Sequence, residues 1–239
     1  DTTLFQNSEG FGTRNRGGGS GRIGLDIDFT ENDLFSIEGK VGIWRMERSM
    51  NQTYSTYSNP SDTNLNEYVT GLSQFGGLYG NASLNFIHKF KQKGHELSLQ
   101  GTYGYRNNKE YNESFLYPFI NGPIFQGSRL DEVGPSHRID SRIDYSLPFA
   151  KHFGMDLGAQ FRYNYSADDI AIAEYDTTVN DMVDDPSKSN EISYTRYIPG
   201  VYLIFKGEIK NFGFQAGIRA EYTNREVNSI TLDSITKIE

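Results

Sequence analysis

Arg138-Ile139-Asp140-Ser141-Arg142-Ile143-Asp144-Tyr145-Ser146-Leu147-Pro148-Phe149 alternates charged or hydroxylated residues with apolar ones. A side-chain period of two marks a β-strand with one apolar and one polar face. After Ala150-Lys151-His152 the alternation resumes. Phe153, Met155, Leu157, Ala159, Phe161, Tyr163 and Tyr165 oppose Asp156, Gln160, Arg162 and Asn164. Two long strands joined by a tight turn form a hairpin, and the rest of the chain repeats this unit.

Upstream, Ile23, Leu25, Ile27 and Phe29 alternate with Arg22, Asp26 and Asp28, and Phe35 to Ile43 continue past Thr30-Glu31-Asn32-Asp33. Ala82, Leu84, Phe86 and Phe90 precede the turn at Lys91-Gln92-Lys93-Gly94; Leu97, Leu99, Tyr103 and Tyr105 follow it. Downstream, Val201, Leu203 and Phe205 lead through Gly207-Glu208-Ile209-Lys210 to Phe212, Phe214, Ala216, Ile218, Ala220 and Tyr222. The reading is eight strands at roughly 20–30, 34–48, 79–91, 95–110, 136–149, 153–166, 192–206 and 212–228. Pro199 cannot donate to a ladder, so a bulge or the start of a strand is expected there. Gly17-Gly18-Gly19-Ser20-Gly21 reads as a flexible loop. It is not a phosphate loop, since no Gly-Lys-Ser/Thr follows.

Connections alternate in length. Short turns fall near residues 32, 93, 151 and 209. Polar connections fall at about 49–68, 111–135 and 167–191 and hold Pro60, Pro118, Pro123, Pro135 and Pro186. Short turns at one end and long loops at the other are the pattern of a transmembrane β-barrel. The polar face carries Asp26, Asp28, Glu38, Lys40, Glu96, Arg106, Arg138, Asp140, Arg142, Asp144, Asp156, Arg162, Arg219 and Glu221. A wet lumen tolerates these charges and lipid does not. Phe29, Phe35, Phe90, Phe149, Phe153, Phe205 and Phe212 gather beside the short turns, as an aromatic girdle at the periplasmic interface would. A soluble sandwich with its apolar face inside shares the alternation, but its strands are typically about 5–6 residues long.

Composition agrees with the all-β reading. Sixteen Phe, 16 Tyr and 25 Gly among 239 residues favour strands and turns. The absence of Cys removes disulfide, zinc-ribbon and iron–sulfur scaffolds. A mean hydropathy of −0.61 and no apolar run of about 18 residues exclude a transmembrane helix. The net charge of −8 argues against a nucleic-acid partner.

Four segments resemble the β-barrel domain of the outer-membrane beta-barrel family proteins of Bacteroidota, relatives of TonB-dependent receptors. They are Gly24-Leu25-Asp26-Ile27-Asp28-Phe29, His88 to Leu97, Ile139 to Pro148 with Leu157-Gly158-Ala159, and Phe214-Gln215-Ala216-Gly217-Ile218-Arg219-Ala220-Glu221-Tyr222-Thr223. The last is the most specific. The resemblance implies an outer-membrane location in a Gram-negative bacterium, contact with outer-membrane lipid, and uptake of an unknown nutrient. It also implies energy from the TonB complex through a plug domain that this stretch does not contain. On that reading, residues 1–239 are part of a larger barrel, about eight of some twenty strands. A closed eight-stranded barrel is the competing arrangement. A structural or adhesive barrel without transport, and a small outer-membrane hydrolase, are the alternative functions.

No catalytic signature is expected, and no cofactor. Ser136-His137 is adjacent in sequence only, whereas a nucleophile and base must meet in space. His88, His95 and His152 stand by short turns. The stretch 167–191 has eight acids and one lysine, and Asp181, Asp184 and Asp185 are calcium candidates against the plainer reading of a solvated loop. Trp44, Arg45, Arg48 and Tyr54 lie at the loop end of the second strand. They are candidates for gripping a ligand at the pore mouth, although an interfacial belt accounts for Trp44 as well.

Overall fold

The computed structural model describes residues 3–59, 64–229, 231 and 234–238. Pro60 and the centre of the first long connection lie outside the described residues. The strands are β1 (Thr3–Thr30), β2 (Asp33–Asn59), β3 (Asn64–Lys89), β4 (Glu96–Tyr117), β5 (Gln126–Ala150), β6 (Phe153–Asp176), β7 (Asp181–Asp184), β8 (Asn190–Ile209), β9 (Phe212–Glu221), β10 (Asn224–Ser229) and β11 (Ser234–Ile238). All pair antiparallel in one sheet ordered β1-β2-β3-β4-β5-β6-β8-β10-β11, with β7 beside β6 and β9 beside β8. Among the described residues the sheet does not close on itself.

Among the described residues the sheet has no hydrophobic core. Ala173 and Ile198 are its only buried apolar residues among those described, while Ile23 is 79% exposed and Ile218 74%. A compact protein of 27.1 kDa exposes about 10,900 Å²; this chain exposes 16368 Å². A soluble sandwich would bury one face against a second sheet, and nothing covers this one. The fold is an antiparallel all-β sheet of the barrel type, with its apolar face turned to lipid.

Ladder register assigns every side chain to a face. On the outer face an apolar belt runs through Phe35–Ile43 of β2, Leu78–Phe86 of β3, Leu97–Tyr105 of β4, His137–Phe149 of β5, Met155–Tyr165 of β6 and Tyr197–Phe205 of β8. Spans of about nine to thirteen residues, tilted, match an apolar band about 25 Å tall. Beyond the belt the outer face turns ionic, at Arg45, Lys109, Asp131, Asp169 and Glu191. At the lower rim Phe205 lies 5.9 Å from both Phe149 and Phe214 and 6.1 Å from Phe153. A second girdle closes the upper rim, where Tyr103, Tyr105, Tyr163, Tyr165 and Tyr197 share the outer face. The Tyr103 hydroxyl lies 2.8 Å from His137 Nδ1. Phenol rings suit this level because one end is apolar and the other wet.

Several expectations need correction. Among the described residues the strands number eleven rather than eight, and the long ones hold 20 to 28 residues. Gly17-Gly18-Gly19-Ser20 is not a loop; it pairs with Gly42 to Arg45 inside β1–β2. Most of 49–68 is ladder, since Ser49 to Tyr57 face Asn64 to Leu72. Residues 111–117 and 126–135 belong to β4 and β5, and 167–176 to β6. Pro135 therefore lies within a strand. These hairpins climb well past the belt into water, where both faces mix polar residues with scattered aromatics. Pro199 also sits inside a strand, opposite Phe161. Its effect appears in the neighbour. Tyr222 N–H donates to the Pro199 carbonyl at 3.0 Å, but Pro199 has no N–H to return. The ladder breaks at Tyr222-Thr223, dividing β9 from β10.

Candidate binding face of the lumen

Opposite the belt lies the polar face. In its lower half, from β5 to β9, Arg138, Arg142, Arg162, Lys206 and Arg219 each meet a carboxylate. Arg138 Nε donates to Asp140 at 2.6 Å, and Arg142 pairs with Asp144 at 2.6 Å. Arg142 also donates to the Tyr202 hydroxyl at 2.9 Å, and that hydroxyl donates to Asp144. Lys206 meets Asp156 at 2.8 Å. Arg162 and Arg219 converge on Glu221 at 2.6 and 2.8 Å, and Arg219 reaches Gln160 at 3.0 Å. Exposed pairs of this kind add little to stability. Together they fix side-chain positions along the wall.

Higher up this face Arg138 is the last arginine to keep an acid. Two transverse rows cross the face. The first is Tyr79, Arg106, Ser136, Ser166 and Tyr194; the second is Asn81, Gly104, Arg138, Asn164, Arg196 and Arg225. Residues from both rows, up to Tyr194, line a basin of about 390 Å³. The missing Cβ of Gly104 keeps it open: one built there would lie 3.1 Å from Asn81 Oδ1. Lys40 stands over the Tyr79 ring at 5.5 Å. Arg196 and Arg225 face each other directly across β8 and β10.

Further out the sign reverses. Glu110 faces Glu132 across β4 and β5, and Asp168 lies diagonally beyond. Burial, then the charges of Asp168 and Glu110, hold the Glu132 carboxyl above the usual carboxylate range; burial alone raises Asp168.

Trp44, Arg48 and Tyr54 share the lumen face, whereas Arg45 points to the outer face. Trp44 is thus not part of the lipid-facing belt. Tyr54 donates to Gln52 at 3.0 Å. Arg48 faces Arg14, and Arg14 donates to the Met46 sulfur at 3.1 Å. Neither arginine meets a carboxylate among the described residues.

The calcium candidates are not brought together. Asp181 begins β7, Asp184 accepts from Arg129 at 3.2 Å, and Asp185 accepts from the Ser187 amide at 2.9 Å. The Ser187 hydrogen bonds, with Lys188 adding to them, hold the Asp185 carboxyl below its usual range. Among the described residues no three His, Cys, Asp or Glu side chains converge on a possible metal position. Ser136 and His137, consecutive in β5, face opposite sides of the sheet, so they cannot act as nucleophile and base. At the lower rim His88 Nδ1 lies 2.5 Å from Asp33 and His95 Nε2 lies 2.8 Å from the Tyr145 hydroxyl.

Residues 88–239 match the sequence profile described as the outer membrane protein beta-barrel family. No curated protein matches the chain. Among solved structures it is similar to the ferric citrate transporter FecA in its unliganded form, at 12% identity and a TM-score of 0.46. That match covers 95% of this chain and 40% of the other, so the chain spans less than half of that transporter's length.

Proposed function

The chain belongs to the outer membrane protein beta-barrel family, and from that premise we propose that it supplies barrel wall, lumen lining and extracellular hairpins to a TonB-dependent receptor-like protein for nutrient uptake. It lies in the outer membrane. The observation that carries the proposal is the lumen face, polar along the wall, with its arginines paired low down and the row from Arg106 to Tyr194 unpaired at the basin. A barrel serving only as a scaffold has no use for a row of unpaired donors aimed at its own interior. In this reading the receptor works by binding and passage. Energy comes from the TonB complex through another part of the protein, as in the Bacteroidota receptors that its motifs resemble.

The test is uptake in cells with and without the gene for the full-length protein. Growth on a panel of sole carbon, phosphorus and iron sources should fail for one of them on deletion. Accumulation of that solute should stop when the proton-motive force is collapsed. Unchanged growth across the panel, or uptake indifferent to the uncoupler, refutes transport. The adhesive alternative draws on the outer face above the belt, where Phe5 stacks on Tyr57 at 5.3 Å and the Tyr68 and Tyr117 rings meet at a tilt, 5.8 Å apart.

A further inference from the structure

The two facing guanidinium groups in the upper lumen are the least explained feature of the wall. Like charges directly opposite on neighbouring strands destabilise a sheet. Arg196 and Arg225 take that arrangement without a carboxylate for either among the described residues. Arg196 Nε is buried with no hydrogen-bond partner. Arg106, which lines the basin, is also unpaired among the described residues, while Arg196 and Arg225 lie just beside the basin and continue its second row past Asn164. Arg138 lies between them in the rows and is the one arginine there with an acid, Asp140. Contrast the wall below, where Arg142, Arg162, Lys206 and Arg219 each meet a carboxylate. Acids are available to the fold, and the basin is built without them. Asp168 is the nearest acid above, one residue pair beyond Ser166 on β6, and no arginine bonds to it.

The groups between the arginines are neutral donors and acceptors. Ser136, Ser166, Asn164 and the hydroxyls of Tyr79 and Tyr194 have no side-chain hydrogen-bond partner among the described residues and line the basin next to Arg196. A guanidinium presents a planar fork that matches carboxylate or phosphate oxygens two at a time. Hydroxyl and amide groups beside it suit the alcohols of a sugar. The geometry points to an anion-binding shelf, with Arg196 and Arg225 clamping the acidic group of a sugar acid or sugar phosphate and the Ser136–Tyr194 row taking its hydroxyls.

This deepens the uptake proposal by naming a substrate class and rests on it. The measurement is separate: calorimetric titration of the purified full-length protein with glucuronate, glucose 6-phosphate and glucose. One anion should bind, glucose should not, and added salt should weaken the interaction. The paired change Arg196→Gln/Arg225→Gln should lower affinity by at least about tenfold, the loss of one charge-assisted contact. Arg196→Lys/Arg225→Lys should keep much of it. Removing two facing cations relieves repulsion, so the glutamine variant should fold and show the heat-sensitive electrophoretic shift of the parent. Equal binding of glucose, no heat with either anion at millimolar concentration, or full affinity in the glutamine variant overturns the shelf. The carboxylate and phosphate arms identify the acidic group. If the shelf fails while energised uptake of a neutral solute persists, transport stands without it. If an anion binds as expected but no solute is imported, the transport reading alone falls.

Discussion

An arginine at Ile143 should cost the barrel about 3–5 kcal/mol, while an arginine at Thr102 should cost less than about 1 kcal/mol. Ile143 sits at the middle of the β5 belt on the outer face and is 42% exposed. Two effects add there. A guanidinium at the bilayer midplane of an outer-membrane barrel costs about 2–4 kcal/mol. The lost contact is the exposed two-fifths of an isoleucine side chain whose complete transfer is worth about 1.5–3 kcal/mol, hence roughly 1 kcal/mol. Thr102 lies on the next strand with its side chain on the other face, opposite Asp140. An arginine there enters a wet lumen beside a carboxylate. The assay folds the parent and each variant into phosphatidylcholine vesicles. Folded fraction is read from the electrophoretic shift across a guanidinium series. The expected order is parent and Thr102→Arg together, with Ile143→Arg far less stable. If Thr102→Arg is the costlier change, the faces are assigned the wrong way round and the apolar belt faces inward.

Two further outcomes follow from the same register. Cysteines introduced singly at Leu157 and Arg162, in a stretch with no cysteine of its own, should behave oppositely. A spin label at Leu157 should be relaxed by oxygen and one at Arg162 by a water-soluble nickel chelate; matching profiles would contradict the alternation in β6. Glu132→Gln should stabilise the folded protein at neutral pH by about 0.2–1 kcal/mol, the usual cost of a facing like-charge pair. The Glu132 carboxyl is raised in the folded state, so its charge opposes folding fully above the folded value. That penalty is relieved as pH falls through the folded value, so the gain should shrink in acid. A gain that grows in acid would refute this account.

How much of this was legible depended on what surrounds each segment. Arg138–Phe149 and Phe153–Tyr165 were readable because lipid and lumen impose opposite chemistry on successive residues. Asn51-Gln52-Thr53-Tyr54-Ser55-Thr56 belong to the same strand as Phe35 and Ile37, yet they read as loop. Above the belt both faces meet water, so no alternation is imposed. Gly17, Gly18 and Gly19 have no side chain to alternate, and only their pairing with β2 makes them strand. Trp44 read as belt from its type, but parity counted from Ile37 places it in the lumen. The Arg196–Arg225 pair was within reach of hairpin arithmetic. Arg196 stands as far before the Lys210-Asn211 turn as Arg225 stands after it, and one continuous register joins them. Pro199 drew attention away from that continuity. The separation of paired from unpaired arginines is not written in the pattern, since rotamers decide which carboxylate each one meets.

The missing core changes what a mutation means on the outer face. In a close-packed interior, trimming a side chain leaves a cavity that rigid neighbours cannot fill, and that void adds to the cost. The neighbours of Ile23, Val41 and Ile218 are acyl chains, and a liquid flows into any vacated volume. Shape there is free and only polarity is constrained. The lumen face is the opposite, because the partners of Arg142 and Glu221 are fixed in place. Sequence drift on the two faces of one strand therefore answers to different rules, alternating residue by residue.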